Sequence, residues 1–174
     1  MESVKNYIKG MALIPDPVIA ELGTRRWNPD FSTVMNKEFV PHSAKAICMD
    51  FQDGTDVDEV LSVYNLSKKY ENYFDGIICM AMFEHLEFPW IAADEIIKAL
   101  KTGGLTHIMT VQTFPLHGYP NDFYRFSVES LRSLFGKLEI LSCEYDYPCK
   151  IISDHLGTQE NAFLNVTLTG RKRI

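Results

Sequence analysis

Two histidines stand where proton chemistry is within reach. His85 follows Glu84 a few residues after an apolar run at 77–81, and His117 lies in an aromatic segment that also carries Tyr119, Asp122, Tyr124 and Arg125. An imidazole changes charge near neutral pH, so each is a candidate base for an O–H or N–H nucleophile. Asp122 can orient a histidine or bind a substrate. Asp122 and Arg125, three apart, read equally as an ion pair that folds the segment. Asp50 closes a second apolar run, and a carboxylate at a strand end can accept hydrogen bonds from two neighbouring hydroxyls. Asp53 is the alternative if that strand runs longer. No C-x-x-C occurs and no His/Cys group has zinc spacing, so no metal site is expected.

The elements around these residues follow from periodicity. Residues 77–81, bounded by Asp75-Gly76, are too short for a helix and read as a strand buried on both faces. Pro89 suits the first turn of a helix. Trp90, Ala93, Ile97 and Leu100 recur at helical spacing, Asp94 and Lys98 form an i,i+4 pair, and Gly103-Gly104 marks the stop. A strand at 105–111 completes a βαβ crossover. Upstream, Val4, Tyr7, Ile8 and Met11 share one face of a short helix ended by Pro15 and Pro17. Residues 18–22 are a strand broken by Gly23. Asn28 caps a helix with Pro29 at its first position and Phe31, Val34, Met35 and Phe39 facing inward. Residues 46–50 form the next strand. Residues 56–66 fit a helix or a third strand at 57–61, with strand favoured, and 67–73 a short surface helix. Downstream, Ser127 caps a helix with Leu131, Leu134 and Phe135 inward and Gly136 at its end. Strands follow at 138–145 and 163–169, joined by an irregular connection containing His155. The fold class is α/β, one domain over 1–174: a mainly parallel sheet, helices on both faces and an antiparallel C-terminal strand.

The chain has 174 residues, 46% of them hydrophobic and 23% charged, with a net charge of −6. That charge disfavours a nucleic-acid backbone as main partner. The one dense basic run, 171–173, reads as a solvated tail. No stretch approaches the roughly 20 apolar residues of a membrane span. The N-terminal apolar run, broken by Pro15, Asp16 and Pro17, is no convincing signal peptide. Four cysteines, at 48, 79, 143 and 149, read as free thiols in a reducing cytoplasm.

The segment F-D-G-I-I-C-M-A-M-F-E-H-L, continuing to I-I-K-A-L-K-T-G-G-L, resembles the fourth-to-fifth-strand region of class I S-adenosylmethionine-dependent methyltransferases. Thr102 stands where that family commonly has proline. Glu21-Leu22-Gly23 is similar to the start of the family's E-x-G-x-G-x-G cofactor loop, though the later glycines are missing and Arg26 and Trp27 stand where small residues are usual. The string from His117 to Phe126 resembles the H-x-x-P-x-D-F-x-R-F of one subgroup. The resemblance covers roughly 18–145. It implies a Rossmann-like fold with S-adenosylmethionine as cofactor, a cofactor-binding half at 18–111 after an N-terminal segment, and an acceptor-side half at 112–174. It places the cofactor on Glu21, Gly23, Thr24, Asp50, Phe51, Ser62, Val63, Ala81 and Met82, with Asp50 at the ribose. Ser62 replaces the acid that would bond the adenine amino group. The acceptor falls to Tyr119, Asp122, Tyr124 and Arg125, with His85 and His117 as catalytic candidates.

The acceptor expected on charge is a small molecule or sugar. The short N-terminal region leaves little chain over the cofactor, so a second copy or a mobile lid would complete the site. The glycine-poor loop and Ser62 favour an alternative, a non-catalytic module of the same fold acting through a protein partner. A nicotinamide oxidoreductase is disfavoured by the missing G-x-G-x-x-G. The string Y-N-L-S-K, a Y-x-x-x-K, lies before the fourth strand and is read as chance.

Overall fold

The computed structural model describes residues 2–26, 28, 30, 32, 34–40, 44–118 and 120–173. Its strands are β1 (Val18–Leu22), β2 (Lys45–Asp50), β3 (Glu59–Val60), β4 (Phe74–Met80), β5 (Leu100–Val111), β6 (Glu139–Ser153) and β7 (Thr158–Arg171). They form one sheet in the order β3-β2-β1-β4-β5-β7-β6. β1 to β5 pair in parallel, and β7 runs antiparallel to both β5 and β6. The expected mixed sheet is therefore present. The helices are α1 (Glu2–Met11), α2 (Asn36–Phe39), α3 (Leu66–Tyr70), α4 (Pro89–Ala99) and α5 (Val128–Leu134).

Alternation along the strands divides the core. Ile19 and Ile78 join Tyr7, Met11 and Phe39 beneath α1 and α2. Ala20, Leu22, Ile77 and Cys79 join Leu66, Ile96, Leu131 and Phe135 beneath α3, α4 and α5. Successive side chains point to opposite faces of a strand, so a continuous apolar run demands cover on both.

Several expectations change. The helix expected from Asn28 is not found at the described residues 28, 30, 32, 34 and 35, none of which is helical. Asn28 Oδ1 accepts the Asp30 amide, and Arg26 and Ser32 both reach Asp56, at 2.8 and 2.7 Å. These bonds hold the segment open until the single turn of α2; Pro29 and Phe31 lie outside the described residues. The third strand exists but is two residues long, because Ser62 then caps a 3₁₀ turn. α4 ends at Ala99, four residues before the glycines. Leu100 is already extended, and Gly103, at φ +81°, donates its N–H to Lys172 O within β5. Of the expected inner face of α4, Trp90 is 54% exposed, while Ala93, Ile97 and Leu100 are buried, with Ala92 and Ile96 beside them. Asp94 pairs with Lys137, and Lys98 with Glu95. Residues 171–173 are no free tail: Arg171 ends β7, and Lys172 Nζ bonds Leu100 O and Asn72 Oδ1. The expected irregular connection is a hairpin, with β6 and β7 paired from Glu139↔Arg171 to Ser153↔Thr158.

His107 lies in the core beneath α1, 1% exposed, with Nδ1 2.9 Å from Thr169 Oγ1 and its ring edge-on to Phe39. Burial lowers its pKa from 6.5 to about 4. The unfolded chain therefore binds a proton that the folded chain refuses between those values. Stability should be full above pH 6.5 and fall towards pH 4, by up to about 3 kcal/mol. Urea melts at pH 7.5 and 5 on the parent and on His107→Gln check this; the variant should lose less on acidification.

Candidate active site

A cavity of about 950 Å³ opens across the carboxyl ends of β1, β2, β4 and β5, the place where open α/β sheets bind ligands. The register brings these ends level, with Leu22 opposite both Met49 and Cys79, and Met80 opposite Met109.

At one end, β1 runs into Gly23, whose φ of +77° only glycine adopts freely. Its N–H donates to Met49 O at 2.8 Å, and a Cβ there would stand 3.1 Å from the Met82 side chain. Asp50 follows β2. Its Oδ1 accepts the Gln52 amide at 3.0 Å and its Oδ2 the Arg25 amide at 3.2 Å. Each oxygen keeps acceptor capacity, and the residue lines the cavity. Phe51 stands beside it, 52% exposed, and Leu61, Ser62, Val63 and Tyr64 form the next wall. Ser62 Oγ is engaged in accepting the Tyr64 amide at 3.4 Å. Ala81, at φ +51°, turns the chain out of β4, and its N–H donates to Met109 O. Met82 lines the floor.

Two residues assigned to the cofactor lie elsewhere. Glu21 is buried and its Oε1 accepts the Met35 amide at 2.6 Å, while Thr24 Oγ1 donates to Met49 O at 3.4 Å. Neither lines the cavity. Alternation turns Glu21 to the sheet face opposite Ala20, where it anchors the loop ahead of α2.

At the other end, Glu84, His85 and His117 converge. The Glu84 side chain is wholly buried; Oε2 accepts Thr110 Oγ1–H at 2.7 Å, and Oε1 has no hydrogen-bond partner among the described residues. Oε1 lies 4.0 Å from His85 Nε2. His85 Nδ1 is 2.6 Å from Asn121 O, so that nitrogen carries the proton and Nε2 the lone pair. The His117 ring meets His85 edge-on at 4.8 Å, and its Nδ1 lies 3.2 Å from Pro115 O. The main sequence motifs thus meet in one place.

The segment after β5 is held by Arg125. Its guanidinium makes a two-pronged bond to Asp122, Nη1 to Oδ1 and Nη2 to Oδ2, and further bonds to the carbonyls of Phe114, Pro115 and Tyr124. Asp122 Oδ2 also accepts the His117 amide at 2.9 Å. Arg125 first, then that amide, hold the Asp122 carboxyl well below the usual carboxylate range. Asp122, Arg125 and Tyr124 do not line the cavity; Tyr124 Oη instead donates to Glu87 O. The pair ties the segment to its own backbone at the Phe114, Pro115 and Tyr124 carbonyls and the His117 amide. Tyr119 lies outside the described residues. Phe114 and Phe123, from the aromatic segment expected on the acceptor side, line the cavity, and so do Met109 and Asn165, which no sequence signal marks. Phe114 packs edge-on to His117, whereas Met109 and Asn165 meet only through β5–β7 pairing.

No described helix is long and apolar enough to cross a membrane. The profile of a family described as a methyltransferase domain matches residues 20–108. No curated protein matches. Solved structures share the fold at low identity. A methyltransferase from Archaeoglobus fulgidus, described as dependent on S-adenosylmethionine, superposes with a TM-score of 0.67 at 14% identity, over 97% of this chain and 91% of that one. The 1,6-didemethyltoxoflavin N1-methyltransferase of Burkholderia thailandensis, solved with 1,6-didemethyltoxoflavin and S-adenosylhomocysteine, gives 0.67 at 12%, over 98% and 78%. A chain from the complex of the Haloferax volcanii Trm112 methyltransferase activator with a methyltransferase gives 0.64 at 14%, over 99% and 89%.

Proposed function

The chain belongs to the methyltransferase-domain family, with S-adenosylmethionine as cofactor, and we propose that it methylates a small-molecule or sugar acceptor held beneath the 112–126 segment. The observation that carries this reading is one continuous cavity joining Gly23, Asp50 and Phe51 to His85 and His117. The residues present suit the cofactor. Asp50 would take the ribose hydroxyls, and Phe51, Ser62 and Val63 would wall the adenine. The open backbone at Gly23, Ala81 and Met82 would lie along the rest.

Bound there, the cofactor supplies a methyl group already activated on a sulfonium. What remains for the chain is to align the acceptor, exclude water and remove a proton where the nucleophile carries one. Phe114 and Phe123 form the dry wall. His85 Nε2 and the free ring nitrogen of His117 are the atoms available to receive a proton. Asp122 and Arg125 position His117 through its amide and the Pro115 carbonyl.

Asp50→Ala should weaken S-adenosylhomocysteine binding by about 1.5–3 kcal/mol, roughly 10–150-fold, the scale for losing charge-assisted hydrogen bonds. Calorimetry checks this, and unchanged affinity would remove Asp50 from the ribose site. Activity is tested with methyl-labelled S-adenosylmethionine and a small-molecule extract. Label should move to a new low-molecular-weight product.

A second reading is a non-catalytic module serving a protein partner. The exposed Ile151, Ile152 and Leu156 at the far end of the β6–β7 hairpin favour it, as does the activator-bound Haloferax volcanii neighbour. Cofactor binding without label transfer to any small molecule would support that reading. The four free thiols suit a reducing compartment, and the proposal places the protein in the cytoplasm. Phe51, at the mouth, would be covered by a second copy or by movement of the 112–126 segment.

A further inference from the structure

We propose that Glu84, His85 and His117 bind one divalent first-row transition ion, such as Zn²⁺, at the acceptor end of the cavity, and that the acceptor reaches it through an oxygen donor. This rests on the methyltransferase reading of the same cavity. One carboxylate oxygen and one ring nitrogen from each histidine all lie within 4.8 Å of one another. Donors 2.0–2.2 Å from a zinc ion stand roughly 3.4 Å apart at a tetrahedral angle, so side-chain rotations of about an ångström close the group on an ion. Positions 84, 85 and 117 share no linear metal spacing, which is why sequence alone predicts no site.

Two independent features favour a cation over a pair of histidines alone. Glu84 is wholly buried, yet Oε1 has no hydrogen-bond partner among the described residues. A buried carboxylate oxygen left bare is costly, and a bound cation removes the cost. Each donor is also oriented from behind, as ligands of metal sites are. Thr110 Oγ1–H holds Glu84 Oε2, the Asn121 carbonyl holds His85 Nδ1–H, and the Pro115 carbonyl faces His117 Nδ1. That leaves Glu84 Oε1 and the two Nε2 atoms for the ion.

Two histidines and one carboxylate leave coordination positions open. A bound ion would take a hydroxyl or hydroxyl–carbonyl pair of the acceptor, and the hydroxyl would release its proton to water more readily than in solution. With the ion present, the histidines would be ligands, and the lowered pKa of the bound hydroxyl would remove the need for a protein base. The acceptor class this selects is an oxygen nucleophile.

The test uses the full chain stripped with a chelator, titrated with Zn²⁺ by calorimetry and with Co²⁺ by visible absorption. The parent should bind one equivalent, with no thiolate charge-transfer band. Losing a group that orients a ligand from behind costs about 10–100-fold, so Glu84→Gln, His85→Ala and His117→Ala, which remove ligands themselves, should each weaken binding by roughly 100-fold or more, and Thr110→Val by roughly 10-fold. His155→Ala, in the exposed hairpin turn, should bind like the parent. Circular dichroism and S-adenosylhomocysteine affinity are read on the same samples. If Glu84→Gln fails to fold, His117→Ala carries the test from the surface segment. No binding by the parent, or binding undiminished in both histidine variants, overturns the site. S-adenosylhomocysteine binding without metal binding sinks the metal proposal and spares the methyltransferase reading. Failure of the parent to bind S-adenosylhomocysteine sinks that reading whatever the metal does.

Discussion

His117→Ala should lower methyl-transfer turnover by about 10²–10⁴-fold, the range for losing assisted proton removal whether the ring takes the proton or holds the ion that ionises the acceptor, and leave S-adenosylhomocysteine affinity unchanged. The separation follows from position. Gly23, Asp50, Phe51, Ser62 and Val63 bound one end of the cavity, and His117 stands at the other against His85. Its side chain is 24% exposed and its ring meets only the rings of His85 and Phe114 among the described residues, so removing it should cost little stability. The measurements are calorimetry with S-adenosylhomocysteine and single-turnover transfer from labelled S-adenosylmethionine. If the variant loses cofactor binding while its melt is unchanged, the 112–126 segment belongs to the cofactor pocket and the assignment of the two ends is reversed.

Arg125→Ala should act on stability. Asp122 is 9% exposed and Arg125 26%, between a fully buried pair and a surface pair. Removing one partner of a buried pair costs about 3–5 kcal/mol, and an exposed pair contributes under about 1 kcal/mol. An intermediate loss of about 2–3 kcal/mol is expected here, lowering Tm by roughly 5–10 °C for a chain of this size. Turnover should fall as well, because the bonds to the Phe114 and Pro115 carbonyls go with the guanidinium and His117 is positioned through them. Arg125→Lys should recover only part, since an ammonium cannot reproduce the two-pronged bond. A melt identical to that of the parent would mean that solvent already screens the pair and that the segment is held by its other backbone anchors. Those anchors are the Phe123 and Tyr124 amides on Glu84 O and the Phe126 amide on Val111 O.

Much of the fold is legible because the buried strands announce themselves. The run Ile77, Ile78 and Cys79 has no polar face, so it must be covered on both sides, and α1 and α4 supply the cover. Ser127 is followed by a helix because its side chain caps the Ser130 amide in a reciprocal box. Where local signals and tertiary bonds compete, the sequence misleads. Asn28-Pro29 is a good helix start, but Asp56, far along the chain, claims Arg26 and Ser32 and keeps that segment open. Residues 146–162 lack regular alternation, yet pairing with β7 makes an extended hairpin of them.

The site divides in the same way. Asp50, Gly23 and His85 are visible because a strand end, a left-handed turn and a polar pair after an apolar run each leave a local trace. Glu21 and Thr24 carry the same local trace, but the pleat turns one to the opposite face and the other onto the Met49 carbonyl. Asp122 and Arg125 read equally as substrate contact and as lock in the sequence, and only the folded chain shows the bonds that the guanidinium makes to the segment's backbone. The convergence of Glu84 with His117 depends on the 112–126 segment folding back over β4, which no spacing in the chain records.

The most direct test of the central claim is a crystal structure of the chain grown with S-adenosylhomocysteine. The ligand should lie across the carboxyl ends of β1, β2 and β4, with its ribose hydroxyls on Asp50, its adenine between Phe51 and Val63, and its sulfur turned towards His85 and His117. Ligand density elsewhere, or a cavity without ligand at saturating concentration, would contradict the assignment of this site.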